Sequence, residues 1–369
     1  MKKIKKNIIL FMPFIGGGGV EKNLFIIANY LGKKLENLKI CTLSKNQKRK
    51  FNSNIKFLSP RKNFYEKLNI RIKYLICLFI LFKFLLKNRN TIVFSFQANI
   101  YCILICKILG IKVIVRSNSS PSGWYHNFFK KIIYKFIISL ADKVIVNSMD
   151  FKNQMMRNFN IKVDCIYNPL NASDIIKKSK KDKKNHFLKS NKEYLKIINV
   201  GRLVEQKDQI TILKAAKILK KKIKFQILIL GKGLEEIMLR KYIKKNNLNQ
   251  QIQIKPFLEN PYGAMKQSDV FVLSSKFEGL PNVLLEAVVL KKFIISTNCP
   301  TGPREILVNG KGGLFFKTEN HFDLAKKILL YYKNKNKLNY KNNISNKNLK
   351  KFNFEKNLKK YFLAIQSVI

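Results

Sequence analysis

Short apolar runs alternate with longer amphipathic stretches from one end of the chain to the other. Apolar runs of about four to eight residues predict buried strands, and apolar residues spaced three and four apart predict helices. The first half predicts strands over 7–13, 39–43, 91–95, 112–116, 143–147 and 164–167, and helices over 20–34, 70–87, 98–109, 127–140 and 150–158. The second half predicts strands over 195–200, 224–230, 251–255, 269–274, 293–297 and 313–316, and helices over 209–221, 234–246, 261–267, 283–290 and 321–332. This alternation predicts an α/β fold with parallel, doubly wound sheets.

The chain of 369 residues is long enough for two domains with full cores. Residues 172–192 are rich in lysine, asparagine and serine, which predicts an exposed linker. We therefore expect one Rossmann-like domain over 1–171 and a second over 193–350, facing each other across a central cleft. Residues 333–350 form another polar run. Segment 351–369 is expected to carry a final amphipathic helix, over 352–369, that packs back on the first domain.

The charge balance is strongly basic, with 73 lysine and arginine residues against 21 aspartate and glutamate, a formal net charge of +52. Three interpretations compete: basic residues spread over solvated surfaces, attraction to anionic lipid, and binding to nucleic acid. The chain has no helix-turn-helix, RRM aromatic motif or zinc-finger spacing, so nucleic acid is not predicted as a partner. The first two interpretations stay open.

The cysteines and the apolar segments predict a cytoplasmic protein. Six scattered cysteines without a CxxC pair are typical of reduced core thiols. The apolar run near the amino terminus is short and leads into a glycine loop, so it predicts the first strand rather than a signal peptide. Residues 74–86 are shorter than the roughly 20 residues of a membrane span and are interrupted by Lys83. They predict a buried or membrane-surface helix.

A pair of carboxylates, Glu278 and Glu286, is the most informative motif of the second half. The predicted strand over 269–274 places the pair at a carboxyl end of a strand, where ligands of open α/β sheets bind. Carboxylates accept hydrogen bonds from sugar and ribose hydroxyls, and amides at a helix start can face phosphate. A first-turn acid favoured by the helix dipole is the alternative for Glu286. Between the two glutamates lies a sequence typical of a turn followed by a helix cap, which favours the binding role over the alternative. Its residues are Gly279, Leu280, Pro281 and Asn282.

Two further turns of the second half carry candidate donor-binding residues. Gly201, Arg202 and Lys207 follow the predicted strand over 195–200. Glycine allows a close approach to a ligand, Arg202 can fork onto diphosphate oxygens, and Lys207 adds a second cation. Ordinary surface cations are the alternative. Gly231 and Gly233 open another strand-to-helix turn, which could pass close to the base or ribose of a nucleotide.

The first half contains a glycine loop, Gly16, Gly17, Gly18 and Gly19, followed by Glu21 in a predicted helix. Amides of such a loop can approach an anion at a helix amino terminus. The loop lacks a clean dinucleotide fingerprint. A Rossmann-type NAD(P)-dependent oxidoreductase and a basic, non-catalytic membrane- or nucleic-acid-binding protein are the alternatives. Both leave the second-half motifs unexplained.

The segments GRLVEQKD (201–208), GKG (231–233), EGLPNVLLEA (278–287) and CPTGPREIL (299–307) resemble glycosyltransferase family 4, the retaining GT-B glycosyltransferases of group 1. GPRE (302–305) is similar to the branch that builds bacterial surface polysaccharides. The resemblance implies a nucleotide-diphosphate sugar as co-substrate, with no cofactor and no metal, bound mainly by the second domain. It implies that Arg202 and Lys207 neutralise the diphosphate, that Glu286 holds the ribose and that Glu278 contacts the transferred sugar.

The resemblance also places the acceptor in the first domain, next to the glycine loop. Many members carry a sugar-facing histidine after a mid-domain strand. The corresponding stretch, 115–124, has none, so Arg116 or Asn118 would take that role, and His126 lies nearby. We expect transfer of a hexose or N-acetylhexosamine from a UDP- or GDP-sugar to a lipid-linked or surface glycan. Stretches 69–89 and 128–138 are expected to contact the anionic inner face of the membrane, although core helices with lysine stems would explain them equally.

Overall fold

The computed structural model describes residues 4–60, 65, 68–118, 128–182, 184–188 and 193–369. The chain divides into two compact units. The first contains Met1–Pro169 and Glu355–Ile369, and the second contains Leu170–Phe354. Each unit has its own parallel sheet and its own apolar core.

In the first unit the described residues form a seven-stranded sheet in the order β3-β2-β1-β4-β5-β6-β7, with parallel pairing throughout. The strands are β1 Ile4–Phe11, β2 Leu35–Cys41, β3 Lys56–Leu58, β4 Thr91–Ser95, β5 Lys112–Ser117, β6 Lys143–Val146 and β7 Asp164–Cys165. The helices between them are α1 Gly19–Lys34, α2 Ile70–Lys87, α3 Asn99–Ile108, α4 Phe128–Ser139 and α5 Met149–Phe159. The strand order reverses direction after β3, so right-handed crossovers place α2 to α5 on the face opposite α1. The core on that face joins α2 to α5 with alternate residues of the strands.

In the second unit the described residues form a six-stranded parallel sheet in the order β10-β9-β8-β11-β12-β13. The strands are β8 Leu195–Val200, β9 Phe225–Leu230, β10 Ile252–Lys255, β11 Val270–Leu273, β12 Phe293–Thr297 and β13 Leu314–Phe316. The helices are α6 Ala172–Lys181, α7 Gln209–Leu219, α8 Glu236–Lys245, α9 Tyr262–Gln267, α10 Asn282–Val289, α11 Pro303–Ile306, α12 His321–Lys333, α13 Lys335–Leu338 and α14 Tyr340–Asn348. The strand order reverses at β8, which pairs with both β9 and β11. The carboxyl ends of β8 and β11 therefore form a topological switch point.

The structure confirms the predicted doubly wound parallel sheets and differs from the sequence analysis in two polar stretches. The predicted linker over 172–192 begins with the helix α6, which packs against α9 and α10. The helix begins at Asn171, whose side chain accepts a hydrogen bond from Asp174 N, and it buries Ile175 and Ser179. The polar run over 333–350 is largely α13 and α14. Composition concealed these three helices because few of their residues are buried: Ile175 and Ser179 in α6, Ser345 in α14 and none in α13.

The chain returns to the first unit at its carboxyl end. Leu170 N donates to Phe352 O at 3.0 Å, and Leu170 pairs with Asn353 in an isolated parallel bridge. The chain therefore enters and leaves the second unit at adjacent points. The last helix, α15 Phe354–Gln366, follows, and residues from Glu355 onward belong to the first unit. Within the described residues, none of the helices combines the length and the apolarity needed to cross a membrane.

Candidate active site

The candidate site lies at the switch point of the second unit, where the loops after β8 and β11 are tied together. Lys276 N donates to Gln206 O at 2.8 Å, and Gln206 Nε2 donates to Phe277 O at 2.8 Å. Ser274 Oγ donates to Lys207 O at 2.7 Å. These hydrogen bonds hold the two loops, and the side chains they carry, in a fixed relation.

An ion pair between Lys207 and Glu278 is the centre of the site. Lys207 Nζ lies 2.5 Å from Glu278 Oε1, and Ser275 Oγ donates to the same oxygen at 2.6 Å. The side chains are only 17% and 8% exposed, so water screens this pair weakly. The fold thus holds one cation and one carboxylate together at the carboxyl end of the sheet. The sequence analysis placed each of them at the end of a strand but did not predict that they pair.

The second carboxylate, Glu286, lies one turn inside α10 and is buried. Tyr262 Oη donates to Glu286 Oε1 at 3.4 Å. Pro281 stands at the position before the helix, and Asn282 is the first helical residue rather than the cap that the sequence predicted. The amides of the first turn follow the Glu278 loop directly, so both carboxylates flank a helix amino terminus.

The Arg202 side chain is exposed, and with the described residues its guanidinium forms no hydrogen bond or ion pair. Its backbone carbonyl accepts from Gln209 Nε2 at 2.9 Å, and the Gln209 side chain is buried beneath the loop. The loop is therefore anchored from below while the cation of Arg202 faces outward. Sequence reasoning did not single out Gln209, since nothing in the motif shows that its amide supports the loop.

Gly231 and Gly233 are required by loop packing. A Cβ at Gly231 would lie 1.9 Å from Gly201 O, and one at Gly233 would lie 2.1 Å from Leu203 O. Leu203 N also donates to Lys232 O at 3.0 Å. The loops after β8 and β9 therefore touch through their backbones, which explains the two glycines without a ligand. Their approach to a nucleotide stays a prediction.

The segment after β12 braces the Glu278 loop from the other side. The Thr301 hydroxyl donates to Glu278 O. Gly302 has φ +85, and a Cβ there would lie 2.3 Å from Gly279 O. Burial, reinforced by the charge of Glu278, raises the pKa of Cys299 to about 12, so its thiol is neutral and a poor nucleophile. Ser275, Thr301 and Cys299 are partners that sequence spacing did not reveal.

The glycine loop of the first unit is covered by its own acid. Glu21 Oε1 accepts from Gly16 N at 3.3 Å, and a Cβ at Gly18 would lie 2.8 Å from Glu21 Oε2. Gly17 has φ +89, a backbone conformation that favours glycine. The Glu21 carboxylate thus accepts from one of the loop amides that could otherwise bind an anion, and α1 begins at Gly19.

Arg116 does not lie at an accessible site. It is fully buried, its Nε donates to Tyr361 Oη at 2.9 Å, and its Nη2 donates to Asn168 Oδ1 at 2.5 Å. The acceptor-facing role predicted for it is therefore replaced by a structural one, because its guanidinium is directed to α15 and the loop after β7. Asn118 lies at the end of β5, partly buried, and its Nδ2 donates to Phe96 O at 3.0 Å. His126 falls outside the described residues.

Comparison with protein-family models decides the family. The model described as glycosyl transferases group 1 matches residues 180–351, and the model described as glycosyltransferase family 4 matches residues 17–174. The chain belongs to the group 1 glycosyltransferases. Bacterial relatives support the surface-polysaccharide branch within that family.

Two relatives illustrate how far the similarity extends for this group 1 glycosyltransferase. It is 28% identical over 328 residues to the N-acetylgalactosamine-N,N'-diacetylbacillosaminyl-diphospho-undecaprenol 4-alpha-N-acetylgalactosaminyltransferase of Campylobacter jejuni, covering 84% of this chain and 86% of that enzyme. It is 33% identical over 200 residues to a glycosyltransferase of Methanocaldococcus jannaschii, covering 52% of this chain and 49% of that protein. The second match spans only about half of the relative's length.

The solved structures confirm the fold of this glycosyltransferase. HepE of Anabaena, solved in complex with UDP-glucose, matches with a TM-score of 0.77 over 98% of this chain and 100% of HepE. The sequences are 14% identical, so the likeness concerns architecture and confirms the predicted GT-B fold. In the described ranges, no group of three or more histidine, cysteine, aspartate or glutamate side chains is placed to hold a metal ion.

Proposed function

We propose that this glycosyltransferase moves a hexose or N-acetylhexosamine, with retention of configuration, from a UDP- or GDP-sugar to a lipid-linked or surface glycan of the lipopolysaccharide, O-antigen or capsule type. The observation that carries the proposal is the Lys207–Glu278 pair at the switch point, beside Glu286 and the start of α10. The Campylobacter relative, named for transfer to an undecaprenol-linked acceptor, supports the acceptor class. HepE in complex with UDP-glucose supports the donor class.

Each side chain of the site has a role in donor binding. Arg202 and Lys207 neutralise the diphosphate, and the first-turn amides of α10 donate to its oxygens. Glu286 accepts from a ribose hydroxyl, with Tyr262 holding its carboxylate in place. Glu278 accepts from a hydroxyl of the transferred sugar through the oxygen that Lys207 and Ser275 leave free.

The reaction needs no protein nucleophile. The bond from the anomeric carbon to the diphosphate oxygen breaks, and the acceptor oxygen forms its bond to that carbon on the same face. The acceptor proton passes to the departing phosphate oxygen. Stabilisation of the developing negative charge contributes most to catalysis in reactions of this kind, and Arg202 and Lys207 supply it without a metal. Excess EDTA therefore leaves the rate of transfer unchanged.

The acceptor is bound by the first unit, next to Gly16–Gly19 and Asn118, on the cytoplasmic side of the membrane. With the Gly16 amide already donating to Glu21, the loop offers a carboxylate to an acceptor hydroxyl. Arg116 has no part in this because it is buried.

The first test is thermal denaturation of the purified protein with UDP, GDP, CDP, dTDP or NAD. A nucleoside diphosphate at a hundred times its dissociation constant stabilises the native state by about 2.7 kcal/mol. A response to one nucleoside diphosphate supports the proposal and names the donor. A response to NAD alone, or to no nucleotide, overturns it in favour of an oxidoreductase or a non-catalytic binding protein.

Glu286→Ala then tests the site. We expect it to abolish transfer while the protein without nucleotide keeps its melting temperature within a few degrees. Glu193→Ala is the control, because the pair that Glu193 forms with Lys224 is exposed to solvent and contributes little to stability. Undiminished transfer by Glu286→Ala would show that the donor is bound elsewhere.

A further inference from the structure

The pairing between β8 and β11 stops before either strand ends. The last pair in their ladder is Ile198 with Phe271, whereas both strands continue beyond it. There a side chain replaces the backbone hydrogen bonds, since Asn199 Nδ2 donates to Val272 O at 2.8 Å. The two strands therefore lose their backbone pairing at the switch point, and the Asn199 side chain joins them instead.

A second amide extends this contact to the loop that carries Arg202. Gln209 Nε2 donates to Asn199 Oδ1 at 3.5 Å and to Arg202 O at 2.9 Å. The orientation of both side-chain amides is determined, because Val272 O and Arg202 O can only accept and must face the nitrogen atoms. We call Asn199 and Gln209 the amide pair. It connects β11, through two side chains, to the backbone of Arg202.

The amide pair lies where apolar side chains would be expected. Asn199 and Gln209 are 3% and 2% exposed. Alternation along β8 puts Asn199 on the same side as the core residues Leu195 and Ile197. Gln209 Oε1 is buried and accepts no hydrogen bond from the residues that the structure describes. A buried acceptor without a donor destabilises a fold, and methionine would fill a similar space without one. The sequence therefore keeps the amide nitrogen of Gln209 at a cost in stability.

We infer that the amide pair consists of positioning residues for the donor diphosphate, which act through Arg202. By holding Arg202 O, Gln209 fixes the peptide from which the guanidinium side chain leaves the loop. The same amide lies close to the other cation of the site. A Cβ at Gly201 would lie 4.0 Å from Gln209 Nε2 and 3.9 Å from the side-chain carbons of Lys207. Gln209 therefore lies beneath the turn that carries both cations.

This inference rests on the proposed function and deepens it, because it names residues that set the affinity for the diphosphate without contacting it. An exposed arginine side chain has many conformations and loses that freedom when it binds a ligand. A backbone held in one orientation reduces the number of those conformations beforehand. Loss of the Gln209 hydrogen bond should therefore weaken the binding of a nucleoside diphosphate and leave the binding of a nucleoside unchanged.

The test compares UDP with uridine as ligands of the full-length protein, by isothermal titration for UDP and by ligand-observed NMR for uridine. Gln209→Met should weaken UDP binding about tenfold, since a charge-assisted hydrogen bond to phosphate contributes at least this factor. The affinity for uridine and the melting temperature without ligand should change little, because Arg202 contacts neither the base nor the core. GDP and guanosine replace this pair of ligands if GDP is the nucleotide that stabilises the wild-type protein.

A double-mutant cycle shows whether the amide acts through Arg202. Arg202→Ala should also weaken UDP binding about tenfold or more, and adding Gln209→Met to it should cause no further loss. Asn199→Leu should show the same pattern as Gln209→Met with a smaller loss, and it replaces that variant if Gln209→Met does not fold. Gln226→Met is the matched control, because Gln226 is also 2% exposed but lies near the amino end of β9. It should leave UDP binding unchanged.

The outcomes separate this inference from the proposed function. Equal losses for UDP and uridine, or additive losses in the double variant, would show a purely structural role for Gln209 and overturn the inference. Unchanged UDP binding by Gln209→Met would overturn the inference and leave the proposed function intact. If the wild-type protein binds no nucleoside diphosphate, the proposed function fails and the inference fails with it. Circular dichroism must show that each variant is folded.

Discussion

At the residue scale, Lys207 has two negatively charged partners. One is the carboxylate with which it is paired in the protein, and the other is the diphosphate of the donor in the proposed function. Lys207→Met should lower transfer by about a hundredfold or more, the usual effect of removing a group that stabilises developing charge. It should also destabilise the fold, because Glu278 is left buried without its counter-charge. Rates of transfer and thermal denaturation measure the two effects.

Two further variants separate these effects. Adding Glu278→Gln to Lys207→Met should restore much of the melting temperature and none of the transfer. Lys276→Met is the control in the neighbouring Glu278 loop, since Lys276 pairs with Glu205 and Glu319 at the surface. Equal loss of transfer in Lys276→Met would mean that the loop, rather than the Lys207 cation, is responsible.

The glycines of the second unit allow a purely steric prediction. Gly233→Ala puts a methyl group where Leu203 O already lies, so the loop must move, at a cost of about 1–3 kcal/mol or more. Gly201→Ala is the matched variant, because its nearest neighbour would be a Lys207 side-chain carbon at 3.9 Å. Urea unfolding should show a clear loss of stability for Gly233→Ala and little for Gly201→Ala. Similar losses would refute this account of the two turns.

Residue-level prediction from sequence succeeded where the chemistry is local. Lys207 and Glu278 follow the carboxyl ends of β8 and β11, and Glu286 lies in the helix after the Glu278 loop, so the parallel sheet brings the three to one edge. Their roles in donor binding stay predictions. Residue-level prediction failed for Arg116, because the ligand-facing role came from the family resemblance alone, whereas the residue lies within β5 and its buried side chain reaches Tyr361 of α15. The partners of Arg116, Asn168 and Tyr361, are distant in sequence, and no local pattern marks them.

At the element scale, α15 is attached to the first unit through a buried arginine side chain whose hydrogen-bond acceptors are neutral rather than acidic. Arg116 Nε donates to Tyr361 Oη, and Tyr361 Oη donates to Ile166 O at 3.2 Å. Burial raises the pKa of Tyr361, and the charge of Arg116 opposes that rise, so the phenol stays protonated at neutral pH. The hydroxyl therefore serves both the guanidinium and the backbone.

Tyr361→Phe should destabilise the first unit by about 1.5–3 kcal/mol, because a buried charged donor loses its acceptor. Urea unfolding measures the loss, and hydrogen exchange should show weaker protection in α15. Tyr101→Phe is the control in the same unit, since Tyr101 is 59% exposed. A loss no larger than that of the control would show that apolar packing alone holds α15.

Elements with a strong apolar period were predicted from sequence, and elements with one narrow buried side were not. The central strands of both sheets read clearly because they are buried on both faces, whereas the short edge strand β3 is only partly buried and was not predicted. α6 was interpreted as a linker because lysines dominate its composition. The Asn171 cap and Ile175 were the signals available for it, and both are short-range features that a compositional argument passes over.

At the scale of the whole molecule, the second unit is inserted between two parts of the first. Because Leu170 pairs with Asn353, a short glycine-serine linker can join Pro169 to Glu355 and bypass the second unit. We expect the joined fragment 1–169 plus 355–369 to fold, since it keeps Arg116 together with Tyr361. Fragment 170–354 should fold by itself around its separate core and keep the response to a nucleoside diphosphate.

The decisive comparison is fragment 1–169 without the last helix. It leaves the Arg116 guanidinium buried with one of its two acceptors missing, and it exposes the apolar surface that Phe94 and its neighbours present to Tyr361. An unpaired buried charge and an uncovered core should make it aggregate or unfold at lower urea than the joined fragment. If both fragments unfold at the same urea concentration, α15 is only an attachment, and the division of the chain at Pro169 and Glu355 does not describe how its stability is organised.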